Sequence, residues 1–252
     1  MATDGQSSSR SPTLPPLVLL PGLDGTGRMF APLCAALEAS ERALVIAYPT
    51  DAPLDGPALL VWVSARLPRG EPYLLVAESF SGPVAMALAR AAPPDLAGLV
   101  LVTTFCEPPR RPPRWLVHLL LPWLLRLPPP EVALRWLLLG PGAPAALVRT
   151  LREALATVRP EVLAQRVREV LAVDARACLS ALAIPVLHLQ AAQDRLVPAR
   201  CGRQMAALLP DLTTATLAAP HLLLQRVPQE ALEQIRRWWL VHLAPAPRRP
   251  GG

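Results

Sequence analysis

The stretch Tyr73 to Gly82, YLLVAESFSG, constrains the fold more than any other part of the chain. An apolar, strand-forming run stops at a serine and passes at once into a small-residue, alanine-rich segment. A strand, a sharp turn and a helix therefore follow one another, with Ser79 on the turn. A serine hydroxyl becomes a useful nucleophile when it is lifted off the end of a rigid element, beside a base and beside backbone donors. Such a turn is cramped, because the strand and the departing helix nearly touch, so the residues two before and two after the serine must be small. Ala77 and Ser81 fill those places, where the common G-x-S-x-G pattern has glycine, and Gly82 adds freedom.

The same rhythm recurs along the chain. Short β-like runs at 17–20, 43–47, 73–77, 99–103, 186–190 and 213–218 alternate with helix-like segments at 28–39, 57–67, 80–92, 198–209 and 228–243. Alternation of this kind predicts an α/β fold with a mostly parallel sheet of about six strands and helices on both faces. Pro198 and Pro228 stand near the openings of the last two helices, where a first turn tolerates proline. One interval breaks the pattern: 106–184 is rich in Leu, Trp, Arg and Pro, with helical periodicity in EVALRWLLL, APAALVRTLREALATV and PEVLAQRVREVLAV. It reads as an inserted helical cap. The expected organisation is a disordered leader at 1–15, a core at 16–105 and 185–243, the cap at 106–184 and a flexible tail at 244–252. With 252 residues and 52% hydrophobic content, the chain suits one domain with an insertion.

In an open α/β sheet, ligands bind beyond the carboxyl ends of the strands, so the polar residues just after each strand carry the chemistry. After the first run comes PGLDGTG (Pro21 to Gly27), whose glycines let amides turn into the crevice. Ser79 follows the third, Asp194 in QAAQDRLVP the fifth, and His221 in AAPHLLLQ the sixth. The chain order is Ser, Asp, His. Each residue alone has an ordinary reading: Ser79 or Asp194 as a helix cap, His221 as a loop residue. All three at strand ends in this order favours catalysis.

On these motifs, LPGLDGTG, ESFSG, DRLVP and PHLLLQ, the chain resembles the α/β-hydrolase family from Pro16 to about Leu243, and within it small bacterial esterase-like serine hydrolases with a helical cap. The resemblance implies that Ser79 attacks an acyl carbonyl, His221 takes its proton, and Asp194 orients the imidazole. It also implies an oxyanion hole formed by the backbone N–H groups of Phe80 and Leu23. The expected reaction is hydrolysis of a carboxylic ester with an apolar acyl or alcohol part, through an acyl-serine intermediate and without metal or cofactor. An acyltransferase or thioesterase is the alternative, with Arg110, Arg111 and Arg114 drawing in an anionic acyl carrier. A non-catalytic binding protein on the same fold is a further alternative, which the filled triad positions argue against. Dehalogenation or epoxide hydrolysis needs a carboxylate where Ser79 stands.

Other polar residues carry competing readings. Glu107, just after the fourth strand, is the fallback acid should Asp194 prove misplaced. Asp24 precedes Gly25 in a turn-forming pair and reads as structural. Glu78 adjoins Ser79 but points elsewhere, since neighbours in an elbow do not share a direction. His188 lies inside an apolar strand and reads as a satisfied core histidine, while His118 and His242 sit in helical patterns without a carboxylate partner. Cys106 reads as a buried small hydrophobe.

Every basic residue apart from histidine is arginine, so the net charge of +6 reads as a coding bias and a solvated surface. No motif interleaves these arginines with aromatics, which argues against nucleic acid. Cys34, Cys106, Cys178 and Cys201 are widely spaced, arguing against a zinc site or disulfide framework and for a reducing compartment. The polar first sixteen residues are unlike a signal peptide, and the greasy region 115–139 is interrupted by His118, Pro122, Arg126 and Arg135. A cytoplasmic enzyme acting on a small ester is therefore expected. Peripheral membrane or acyl-carrier contact and the oligomeric state stay open.

Overall fold

The computed structural model describes residues 14–110 and 127–243. Six parallel strands form one sheet in the order β2-β1-β3-β4-β5-β6. They are β1 (Leu17–Leu20), β2 (Ala43–Val45), β3 (Tyr73–Glu78), β4 (Leu96–Val102), β5 (Val186–Ala191) and β6 (Thr213–Leu217). The central strands β1 and β3 are buried at every position, which is why they read as unbroken apolar runs rather than as alternating ones. Edge strands β2 and β6 are only partly buried.

Alternate residues of each strand feed two cores. Val18, Leu20, Leu75, Ala77, Leu99 and Leu101 pack on one face. Leu19, Leu74, Val76, Val100, Val102 and Leu189 pack on the other. The first core is covered by α2 (Gly56–Ser64) and α3 (Ser81–Arg90), the second by α1 (Ala31–Ala35) and α10 (Pro228–Leu243). Each fully buried leucine contributes about 2 kcal/mol by leaving water. Asp55 starts α2 by accepting a hydrogen bond from the Ala58 amide at 2.9 Å, with Pro57 in the first turn.

The helical excursion falls between β4 and β5 as the sequence predicts. Its described helices are α4 (Glu131–Leu134), which continues into a π-helical turn at Arg135–Leu139, then α5 (Ala145–Ala156), α6 (Pro160–Ala172) and α7 (Arg176–Ser180). Then come α8 (Ala199–Leu208) and the short α9 (Leu223–Arg226).

The boundaries depart from expectation in a few places. β4 begins at Leu96 because Tyr73 pairs with Leu96 across a register shift. The sequence Ala97-Gly98 hides that start, and Gly98 is glycine because a Cβ there would lie 2.8 Å from the Trp238 ring. The expected helix at 28–39 is a 3-10 turn (Arg28–Phe30) followed by the five-residue α1. Leu14 is buried in the second core, so the ordered fold starts inside the expected leader. Residues 1–13 of that leader, the tail, His118, Arg111 and Arg114 lie outside the described residues. No described helix is long and apolar enough to cross a membrane.

Candidate active site

Ser79 follows the last residue of β3 with φ +51°, a left-handed conformation that costs a non-glycine residue about 1–2 kcal/mol. Three hydrogen bonds hold it there. The Ser79 amide donates to the Val102 carbonyl at 2.9 Å, and the Ser79 carbonyl accepts from the Gly82 amide at 3.0 Å and from Thr104 Oγ1 at 2.5 Å. Gly82 has an ordinary φ. Its contribution is room rather than freedom, since a Cβ there would lie 2.0 Å from Thr104 Oγ1. Ala77 and Ser81 are fully buried, as the cramped elbow requires.

The loops after β5 and β6 bring Asp194 and His221 to Ser79. His221 Nε2 lies 3.0 Å from Ser79 Oγ, and His221 Nδ1 lies 2.8 Å from Asp194 Oδ2. Asp194 Oδ1 accepts from the amides of Leu196 and Val197, both at 2.8 Å. The side chains of His221 and Asp194 are 3% and 4% exposed, so the imidazole has its carboxylate partner in a nearly dry setting. An ionised Asp194 can only accept, so Nδ1 carries the proton and Nε2 is free to take one from Ser79. The three residues read from strand ends thus form one hydrogen-bonded row.

Glu107 does not join that row. Its carboxylate lies 3.3 Å from Arg176 of α7 and accepts from Gln204 of α8, so the fallback acid is displaced by Asp194. Arg110 is exposed and donates to the Arg195 carbonyl at 2.8 Å.

The loop at Pro21–Gly27 lies against Ser79: a Cβ placed on Gly22 would be 4.0 Å from Ser79 Cβ. Asp24 closes the turn as expected, accepting from the Thr26 amide at 2.9 Å and from Thr26 Oγ1. Neither Leu23 nor Phe80 donates a backbone hydrogen bond among the described residues, which leaves both amides available beside the serine. The N-terminal turn of α3, opening at Phe80, adds its dipole to that position.

The Glu78 carboxyl is buried beside the loop, its Oε2 3.8 Å from where a Cβ on Gly22 would stand. Its Oε2 accepts from Gln225 at 3.3 Å, while Oε1 has no partner among the described residues. Burial pushes its carboxyl up to about 7, against the opposing pull of His221 and Gln225. His188 is a core histidine but not a satisfied one, since Nδ1 has no hydrogen bond among the described residues and burial lowers its pKa to about 4. His242 Nδ1 donates to the Trp238 carbonyl at 2.8 Å, and its ring lies 5.1 Å from the Trp238 ring, tilted by 49°. Cys106 packs in the first core. All four cysteines are free thiols. The described residues contain no group of three or more His, Cys, Asp or Glu suited to hold a metal ion.

Three supporting side chains escape the sequence reading. Tyr48 and Ser81 form a buried pair, 2.5 Å between oxygens, with Ser81 Oγ also on the Pro21 carbonyl. Arg166 of α6 is 4% exposed and reaches the same loop. Its only sequence signal is its phase: it falls on the stripe of Leu163, Val170 and Val173.

A model of the alpha/beta hydrolase family matches residues 17–235, nearly the whole described fold. The chain belongs to the alpha/beta hydrolase family. Solved structures agree with this hydrolase on the fold. A thermophilic esterase from Thermogutta terrifontis superposes with a TM-score of 0.76 at 21% identity, covering 91% of this chain and 90% of that one. A hydrolase from Oleispira antarctica gives 0.73 at 16% identity, over 90% and 92% of the two chains. A bromoperoxidase from Bacillus anthracis gives 0.75 at 17% identity, over 90% and 92%. No curated protein sequence matches the hydrolase.

Proposed function

We propose that this hydrolase is a serine carboxylesterase that cleaves an ester with an apolar acyl or alcohol part through an acyl-Ser79 intermediate. The observation that carries this reading is the row of hydrogen bonds from Ser79 Oγ through His221 to Asp194. As Ser79 Oγ attacks the carbonyl carbon, its proton passes to His221 Nε2, and Asp194 stabilises the imidazolium. The developing oxyanion is received by the amides of Phe80 and Leu23. His221 then gives the proton to the leaving alcohol, and a water activated by the same imidazole hydrolyses the acyl-enzyme.

The apolar preference rests on a cavity of about 250 Å³ between α2, α3 and α6, lined by Leu59, Leu60, Phe80, Val84, Phe105 and Val170. Ser79, Asp194 and His221 do not line this cavity, and Phe80, which follows the nucleophile, is the lining residue that joins it to the site as the seat of a short acyl chain. In this reading the helical excursion at 106–184 acts as a cap over the crevice. The test is a panel of aryl esters of increasing acyl length, run with the wild type and Ser79→Ala. A rise and then a cut-off in kcat/KM as the chain outgrows the cavity, absent in Ser79→Ala, supports the reading. Turnover that survives in Ser79→Ala overturns it.

A further inference from the structure

Five successive carbonyls of the loop beside Ser79 are each held. Pro21 O accepts from Ser81 Oγ, Gly22 O from the Gly25 amide, and Gly25 O from the Tyr48 amide. Leu23 O and Asp24 O both accept from Arg166 Nη1, at 2.9 and 2.7 Å. The other arm of the guanidinium, Nη2, donates to Pro49 O at 2.8 Å. Arg166 thus comes across from α6 to bind the loops after β1 and β2 together. The start of α6 is tied to the same place, by the Arg159 amide on Thr50 O at 2.9 Å.

This pattern fixes the two peptide planes that flank Leu23. The Leu23 amide belongs to the plane whose carbonyl is Gly22 O, and in a trans peptide the N–H points opposite to that carbonyl. The next plane carries Leu23 O, which among the described residues is held by Arg166. Without Arg166, that plane and the one after it can turn about the Leu23 and Asp24 dihedrals, which draws the Gly25 amide off Gly22 O and so frees the plane that carries the Leu23 N–H. The loop has accommodated the guanidinium closely. A Cβ on Gly25 would lie 2.4 Å from Arg166 Nη1, so this glycine at φ +69° also makes room for it. Among the described residues, the three hydrogen bonds from Arg166 go to main-chain carbonyls, and the Asp24 carboxylate oxygen Oδ2 accepts from Thr26. A buried charge held this way is a costly means of filling space. Aiming several carbonyls at once is something a planar guanidinium does and an apolar residue cannot.

We propose that Arg166 is a positioning residue: from the helical excursion it sets the direction in which the Leu23 amide meets the oxyanion. The proposal rests on the reading of Ser79 as the acyl nucleophile. Its effect falls on the transition state, because the ground-state carbonyl needs that amide far less.

The experiment compares wild type, Arg166→Ala and Arg166→Lys on an aryl ester below the melting temperature of each, with fluorophosphonate labelling in parallel. Arg166→Ala is expected to lose about 10–100-fold in kcat with KM within twofold, less than the loss of a whole oxyanion donor. Millimolar guanidinium chloride should restore much of that loss, and ammonium chloride at the same concentration should not. Arg166→Lys should stay at least fivefold down, and it carries the test if Arg166→Ala does not fold. A folded variant with kcat within threefold of wild type, or a loss confined to KM, overturns the positioning role alone. A folded wild type that neither turns over ester nor takes the label overturns the underlying reading, and the proposal with it.

Discussion

Asp194 divides its carboxylate between His221 and its own loop: Oδ2 lies 2.8 Å from His221 Nδ1, and Oδ1 accepts two loop amides. The loop bonds fix the carboxylate, and the carboxylate fixes the imidazole tautomer. Asp194→Asn keeps the shape and the Oδ1 contacts but offers His221 an amide that can place the proton on the wrong nitrogen. A fall in kcat on the order of 10³–10⁴-fold is expected, with an unchanged circular-dichroism spectrum. Steady-state kinetics on an aryl ester checks it. A fall of less than tenfold would show that Asp194 does not serve His221 in this way.

Gly82 and Thr104 form a coupled pair across the elbow. Gly82→Ala puts a methyl 2.0 Å from Thr104 Oγ1 and is expected to destabilise the fold by about 2–3 kcal/mol. Thr104→Ala removes the closest obstacle, so the double variant should lose less than the sum of the two single losses. Urea denaturation of the four proteins measures the coupling. Strict additivity would contradict the contact.

The Tyr48, Ser81 and Pro21 chain has a defined proton order. Pro21 O can only accept, so the Ser81 hydroxyl donates to it and the Tyr48 hydroxyl donates to Ser81. Tyr48→Phe leaves Ser81 satisfied and should cost about 1 kcal/mol, whereas Ser81→Ala orphans two buried groups and should cost about 2 kcal/mol or more. Equal losses in thermal or urea unfolding would argue against this order.

Glu78 and His188 oppose each other in the pH dependence of stability. Glu78 titrates at about 7 in the fold against 4.5 ordinarily, so the folded state holds its proton longer and stability falls as pH rises from about 4.5 to about 7. His188 titrates at about 4 against 6.5, so the folded state resists protonation and stability falls as pH drops from about 6.5 to about 4. The two slopes nearly cancel in wild type. Glu78→Gln should expose the histidine slope and raise stability at pH 8 by about 2–3 kcal/mol. His188→Leu should expose the opposite slope. Urea midpoints between pH 4 and pH 8 report both, and parallel profiles for the two variants would contradict the assignment.

The sheet and the row at its carboxyl edge were legible because both follow from order along the chain. An apolar run that ends in a polar residue marks a strand end, and Ser79, Asp194 and His221 stand at three such ends. What supports them was not legible, because it depends on contacts between distant segments. Gly82 meets Thr104 only because β3 and β4 are neighbours. An arginine in an amphipathic helix reads as solvated, and only the phase of Arg166 with Leu163 and Val170 marks it as inward. Glu78, expected to point elsewhere than Ser79, is buried at the end of β3. Its dry surroundings come from Gln225 and the Gly22 loop, which the sequence places far away. His188 was rightly placed in the core, yet whether a buried Nδ1 finds a partner is decided by its neighbours.

Covalent labelling decides whether Ser79 is a live acyl nucleophile. Wild type and Ser79→Ala are treated with a fluorophosphonate, and the modified peptide is located by mass spectrometry. One adduct per chain is expected, on Ser79, and it disappears in Ser79→Ala. A folded wild type that stays unlabelled, or a label that persists in the variant, would contradict that role.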